Sequence, residues 1–164
     1  MRNMKAVSMI VAGLALSANV LAAQSATINA TATVLSPITV TGANPLAFGN
    51  VTPGVAKTIA ASASTAGLFT VAAANTTPIA VTFTLPGTLT GPGAPMPMSA
   101  WTGLWNQANN QGAGTAFTPS AVALNQTTSA TGGFFVWVGA TVTPAAVQTA
   151  GAYTGVITMN VVYQ

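Results

Sequence analysis

The chain has no aspartate, no glutamate, no histidine and no cysteine among its 164 residues. Each absence removes a chemistry. General acid–base catalysis needs a side chain that titrates near working pH, and metal sites need carboxylate, imidazole or thiolate ligands. No cofactor or metal site is expected. Charge is almost as scarce: of three basic residues, Arg2 and Lys5 lie at the extreme N-terminus, leaving Lys57 as the one charged side chain beyond it. The formal charge of +3 therefore gives no cluster of cations for a phosphate backbone, which excludes nucleic acid as a partner. Lys57 near Ser62 or Ser64 is the one arrangement resembling a nucleophile and base. No S-x-x-K spacing supports it, so the chain is read as not an enzyme.

What is present begins with a leader. Met1 to Lys5 is a short positive segment, Ala6 to Ala18 is an apolar run, and Ala22 and Ala23 offer small residues before Gln24. This is the pattern of a secretory signal peptide over residues 1–23, cleaved before Gln24 or one residue earlier. The apolar run is short for a membrane span, although an uncleaved anchor is the competing reading. No cysteine follows to take a lipid. The glycine cleavage site and helix glutamate of a type IV prepilin are also missing. The mature chain is expected to be secreted, with no membrane span.

About 140 residues remain, enough for one domain with a core. Short runs of Val, Ile, Thr and Phe, separated by Gly, Pro and Asn, predict an all-β antiparallel sandwich with strands near 26–34, 36–42, 45–50, 57–63, 67–74, 78–85, 99–105, 133–143 and 152–163. Ile79, Val81, Phe83 and Leu85 alternate with Ala80, Thr82 and Thr84, a half-buried strand that Pro86-Gly87 stops. In Gly133–Val142 both faces are apolar, Phe134/Val136/Val138 on one and Phe135/Trp137 on the other. Such a strand is either central in a sandwich or has one face covered by another chain.

Between Pro86 and Gly132 the pattern loosens, with an uncharged amide run at Asn106–Gln111. Trp101 and Trp105, four apart, share a face and are expected to fill core; contact with a hydroxyl-rich ligand is the rival. Asn29, Asn50, Asn75 and Asn125 begin N-x-[ST] sequons that a threonine-rich chain produces by chance. The pairs Thr31/Thr33, Thr39/Thr41, Thr82/Thr84, Thr88/Thr90 and Thr141/Thr143 raise an ice- or surface-binding reading, but threonine is simply a good strand former.

Two alternating segments carry the functional reading. Residues 151–164 place Gly151, Tyr153, Gly155, Ile157, Met159, Val161 and Tyr163 on one face, a long strand that needs partners for its backbone as well as its side chains. Residues 26–34 place Ile28, Ala30, Ala32 and Val34 on one face and Thr27, Asn29, Thr31 and Thr33 on the other. Small inward residues suit a strand that slides into a narrow groove between sheets, a donor strand. The plainer alternative is the first strand of its own sandwich. Near-zero mature charge fits either a chain that does not resist association or a generic aggregation tendency.

The run Leu46–Gly54 (LAFGNVTPG) and the ending Ala150–Tyr163 resemble a bacterial secreted family, domain of unknown function 4402, over most of the mature chain. That family is similar to spore-coat-protein-U-like and chaperone–usher pilin subunits, which are incomplete immunoglobulin-like sandwiches. In the pilin pattern a C-terminal strand carries a penultimate aromatic and a glycine fourteen places from the end, the positions of Tyr163 and Gly151 here. The resemblance implies a division into signal peptide (1–23), donor extension (24–35) and sandwich domain (36–164). It further implies a structural subunit of a fimbria-like surface filament, joined head to tail with identical or related subunits by donor-strand exchange. A periplasmic chaperone and an outer-membrane usher are the partners it implies. Many such pilins carry a disulfide, which this chain cannot form. The alternative is a self-complemented monomeric coat or adhesin domain, its own N-terminal segment filling the groove.

Overall fold

The computed structural model describes residues 24–164; the signal-peptide reading falls on residues 1–23, outside the described residues. The chain divides into two units, Met1–Thr33 and Val34–Gln164. The described part of the first, residues 24–33, is exposed and forms no strand.

In the second unit, hydroxyl and apolar residues alternate along extended segments, and this period of two sorts them into ten strands. They are β1 (Thr39–Asn44), β2 (Lys57–Ile59), β3 (Gly67–Ala72), β4 (Pro78–Thr84), β5 (Thr88–Leu89), β6 (Met96–Asn106), β7 (Thr115–Phe117), β8 (Leu124–Thr127), β9 (Gly133–Val142) and β10 (Thr158–Tyr163). One sheet runs β1-β3-β9-β6-β5, with β2 added to the end of β9 and β7 to β6; the second runs β10-β4-β8. All strand pairs are antiparallel. The result is an all-β sandwich of immunoglobulin-like order: β1, β3, β9 and β6 take the places of strands A, B, E and D, and β4 and β10 those of C and F.

The core lies between the sheets. Ile79, Val81 and Phe83 of β4 and Met159 of β10 meet Val71 of β3 and Phe134, Val136 and Val138 of β9. Trp105 stacks on Phe134 with ring centroids 5.4 Å apart, and Phe69 meets Phe83 edge to face at 6.4 Å. Both tryptophans of β6, Trp101 and Trp105, pack against this core. They do so as the core reading of the sequence expects.

The strand β9 is buried on both faces by its own chain. Trp137, on the outer side, sits among Ile59, Ala66 and Leu68. The segment from Ile59 to Ala61 crosses β9 at Gly139, where a Cβ would collide with the Ile59 carbonyl and the Ala61 amide. Gln111 ties the crossing down, its Nε2 donating to the carbonyls of Ala61 (2.7 Å) and Ala63 (3.0 Å). The crossing also explains why the strand expected over 57–63 ends at Ile59.

Other expectations shift. No ladder forms over 26–34, and none over 45–50, whose one backbone tie outside the turns is Ala47 N–H to the Thr65 carbonyl at 3.2 Å. The strand expected at 36–42 begins at Thr39, after Pro37, which has no N–H to give a ladder. Residues 86–132 are more ordered than expected: they contain β5, β6, β7, β8 and a short 3-10 helix at Gln111–Ala113. Part of the amide run is used internally. Asn106 donates to the carbonyls of Asn110 and Ala113, and Gln107 to that of Thr127 at 2.8 Å. These two amides cap loops.

Because Gly139 sits under crossing backbone that cannot rotate away, Gly139→Val is expected to destabilise the fold by about 3 kcal/mol or more. Urea denaturation followed by tryptophan fluorescence measures it.

Candidate functional site: an open seam between two sheet edges

A sandwich has lateral seams where the edge strands of its sheets meet, and backbone groups there need partners or water. One seam of this molecule is stitched. The chain leaving β4 crosses to the first sheet as β5, pairing Thr88 with Pro97 and Leu89 with Met96. Its next residue, Thr90, exchanges two backbone hydrogen bonds of 2.8 Å with Thr154. The outer edge of β8 has no strand partner among the described residues, and Gln107 caps one of its carbonyls, that of Thr127. Between β1 and β10 the situation differs. Neither strand has a ladder partner on that side, and among the described residues no strand takes the place of strand G, which would lie beside β10.

The two ends of this seam are unlike. At one end, the Tyr163 hydroxyl donates to the Ser36 carbonyl and accepts from the Ala74 amide, both at 2.6 Å. That couples the approach to β1, the β3–β4 turn and the last residue of β10. Ala74 is held again from behind: its carbonyl accepts from the buried Thr128 hydroxyl at 2.6 Å. The penultimate tyrosine is a clasp. At the other end the sheets part around a cleft of about 750 Å³. Its floor is the inner side of the first sheet, with Phe69, Met96, Met98 and Val142. One wall is Gly42 to Val51, the other Gly151 to Ile157.

Along the seam the inward faces are apolar and incompletely covered. Val40 of β1 is 37% exposed although its cross-strand neighbour Val71 is buried at 3%. Opposite, Met159 is buried, while Val161, Tyr163, Ile157 and Tyr153 are half-buried. The alternation expected from the sequence thus holds across Tyr153, Ile157, Met159, Val161 and Tyr163. The single strand expected over 152–163 does not. Thr158 faces Thr84 but Thr154 faces Thr90, so the opposing chain carries two extra residues, and the ladder breaks at Pro86-Gly87. Gly151 turns the chain at the top of the wall with φ +146°, its Cα against the Pro92 ring.

The other half of the sequence reading concerns Ile28, Ala30, Ala32 and Val34. Ile28 and Val34 are each 95% exposed, and no residue from 24 to 38 belongs to a strand. Two features of the site were not read as such from the sequence. Leu46, Phe48 and Val51, expected in part as a strand, form a cleft wall in irregular backbone, held by Lys57 Nζ donating to the Asn50 carbonyl at 2.9 Å. Met96 and Met98 form the floor. Residues 45–50 were expected as a strand and form none; the Gly49 and Pro53-Gly54 breaks in LAFGNVTPG are the signal that could have set the run apart.

No family model, no curated protein and no solved structure matches the chain. Among the described residues no helix is long and apolar enough to cross a membrane.

Tyr163→Phe removes both hydrogen bonds of the clasp and leaves the Ala74 amide without its acceptor. A loss of about 1–3 kcal/mol is expected, together with faster hydrogen exchange at the Ala74 amide, while the β-rich circular dichroism spectrum is kept.

Proposed function

We propose that this chain is a structural subunit of a secreted, fimbria-like surface filament, and that the seam between β1 and β10 accepts a strand given by a neighbouring copy. The observation that carries the reading is the vacant place beside β10, in a molecule whose other seam is stitched. A strand inserted there meets two rows of free backbone groups and an apolar floor, the setting for β-strand addition. Full burial of Ile28 and Val34 is worth about 1.5–3 kcal/mol each. Each backbone hydrogen bond gained adds about 0.5–1.5 kcal/mol. Ala30 and Ala32 between them suit the stretch where the two sheets draw together towards the Tyr163 clasp.

Direction favours a neighbour over self-completion. Thr39 of β1 starts near the Tyr163 end, whereas Asn44 lines the cleft beside Ile157, so β1 and β10 run antiparallel. Residues 26–34 lead directly into the start of β1. To fill the seam of their own molecule they must turn back along β1 and run parallel to β10. A strand from another copy is free to lie antiparallel to β10, the slightly more stable pairing. Such a joint is head to tail and does not close, so it propagates as a fibre.

On the same reading, the family resemblance of residues 46–54 and 150–163 supports a periplasmic chaperone that fills the seam in transit, an outer-membrane usher and a final location at the cell surface.

Deleting Ala26 to Val34 is the direct test. The expected result is a chain that keeps its β-rich spectrum but sediments as a monomer, while the full chain forms assemblies of many copies. A full chain that remains monomeric at all concentrations, or a deletion that unfolds a monomeric protein, overturns the reading; the second result assigns the segment to its own seam.

A further inference from the structure

We infer that the seam selects its strand by the absence of charge rather than by side-chain shape, so that it accepts strands of differing apolar residues from related chains as well as its own. This deepens the assembly reading and rests on it. The occupant is an extended, uncharged segment with apolar residues at alternate positions, the chemistry of residues 26–34.

Three observations carry the inference. The first is the cleft floor, where two of the deepest groups are Met96 and Met98, at 2% and 7% exposure. Methionine has an unbranched, polarisable side chain that refills space as its neighbour changes, whereas β-branched residues are fixed at χ1. The second is the wall at Gly42 and Gly49, where a Cβ would meet nothing within 4 Å at Gly42 and only the Lys57 amine at Gly49, so no side chain there measures an incoming one. The third is electrostatic. No lining residue is charged, and the nearest ammonium, Lys57, is engaged with the Asn50 carbonyl. The lining itself supplies no charged partner, and burying a charge unpaired is costly. Residues 24–35 carry no charge either.

A peptide panel tests this on the purified full chain. Synthetic peptides of residues 24–35 are compared as inhibitors of self-assembly, by the concentration that halves it. Apolar exchanges at inward positions, Ala30→Val, Ala30→Leu and Ala32→Val, are expected to fall within about five-fold of the parent peptide. Ala30→Glu and Ala30→Lys are expected to weaken inhibition by about 100-fold or more, and Thr31→Lys, on the outward face, by less than about five-fold. In a chain carrying Met96→Val and Met98→Val the apolar peptides are expected to spread beyond about ten-fold, because the stiff floor now fits some and not others. An apolar spread beyond about 30-fold in the unaltered chain, or inhibition by the Glu and Lys peptides equal to the parent, overturns the inference while leaving strand addition intact. Failure of every peptide, parent included, overturns the assembly reading itself.

Discussion

A strand at the rim of a sheet carries backbone donors and acceptors that no side-chain packing can satisfy, and in this protein two such rims, those of β1 and β10, face one another across one seam. Among the described residues, β10 is paired to β4 on one side and to no strand on the other. Elsewhere the chain meets part of the same demand with its own atoms: β5 and Thr90 close one seam, and Gln107 caps one carbonyl on the rim of β8. Sheet edges left free are ordinarily protected by charge, above all lysine, or by proline. β1 and β10 carry neither. An edge that is apolar behind, uncharged in front and undefended suits an added strand.

On the proposed function, the same constraint bears on the chain's uncharged composition. The described residues hold one charged side chain, Lys57, and its amine is spent on a backbone carbonyl at the cleft wall. A protein whose lifetime is spent free in solution gains from net charge that keeps copies apart. One that spends it joined to copies of itself does not, and acidic or basic groups near the seam would penalise the joint through desolvation. Stability without disulfides then depends on packing. It comes from the Phe134, Val136 and Val138 row of β9, buried on both faces and pinned from outside by the crossing at Gly139.

The inward and outward sides of β4, β9 and the C-terminal segment were legible in the sequence because period-two alternation is a local property that survives whatever partner a strand finds. Ile79, Val81, Phe83 and Met159 are buried as that pattern requires. Trp101 and Trp105 were legible for a related reason, since large aromatic residues at an even spacing on one strand share a face. Partnership was less legible. Thr88–Leu89 and Thr115–Phe117 are strands of two and three residues whose extended form is imposed by β6 beside them. Residues 45–50 read as a strand from their composition but lie where no neighbour offers a ladder. The cleft floor at Met96 and Met98 depends on how β6 crosses the end of β9, a long-range fact that no local pattern records.

Residues 26–34 have the clearest alternation after β4 and the C-terminal segment, yet they form no strand. A lone extended segment gains nothing from alternation, because its inward face has no interior to meet and its amides are as well hydrated as any loop's. On the proposed function, the partner that this alternation fits is the seam of another copy. Tyr163 already occupies one end of the seam with hydrogen bonds to Ser36 and Ala74, so on that proposal the cleft between Asn44 and Ile157 is the incoming strand's point of access. A site open at one end and fastened at the other turns strand addition into a process with a beginning and an end. On the filament proposal, that asymmetry would give the head-to-tail joint one register rather than many.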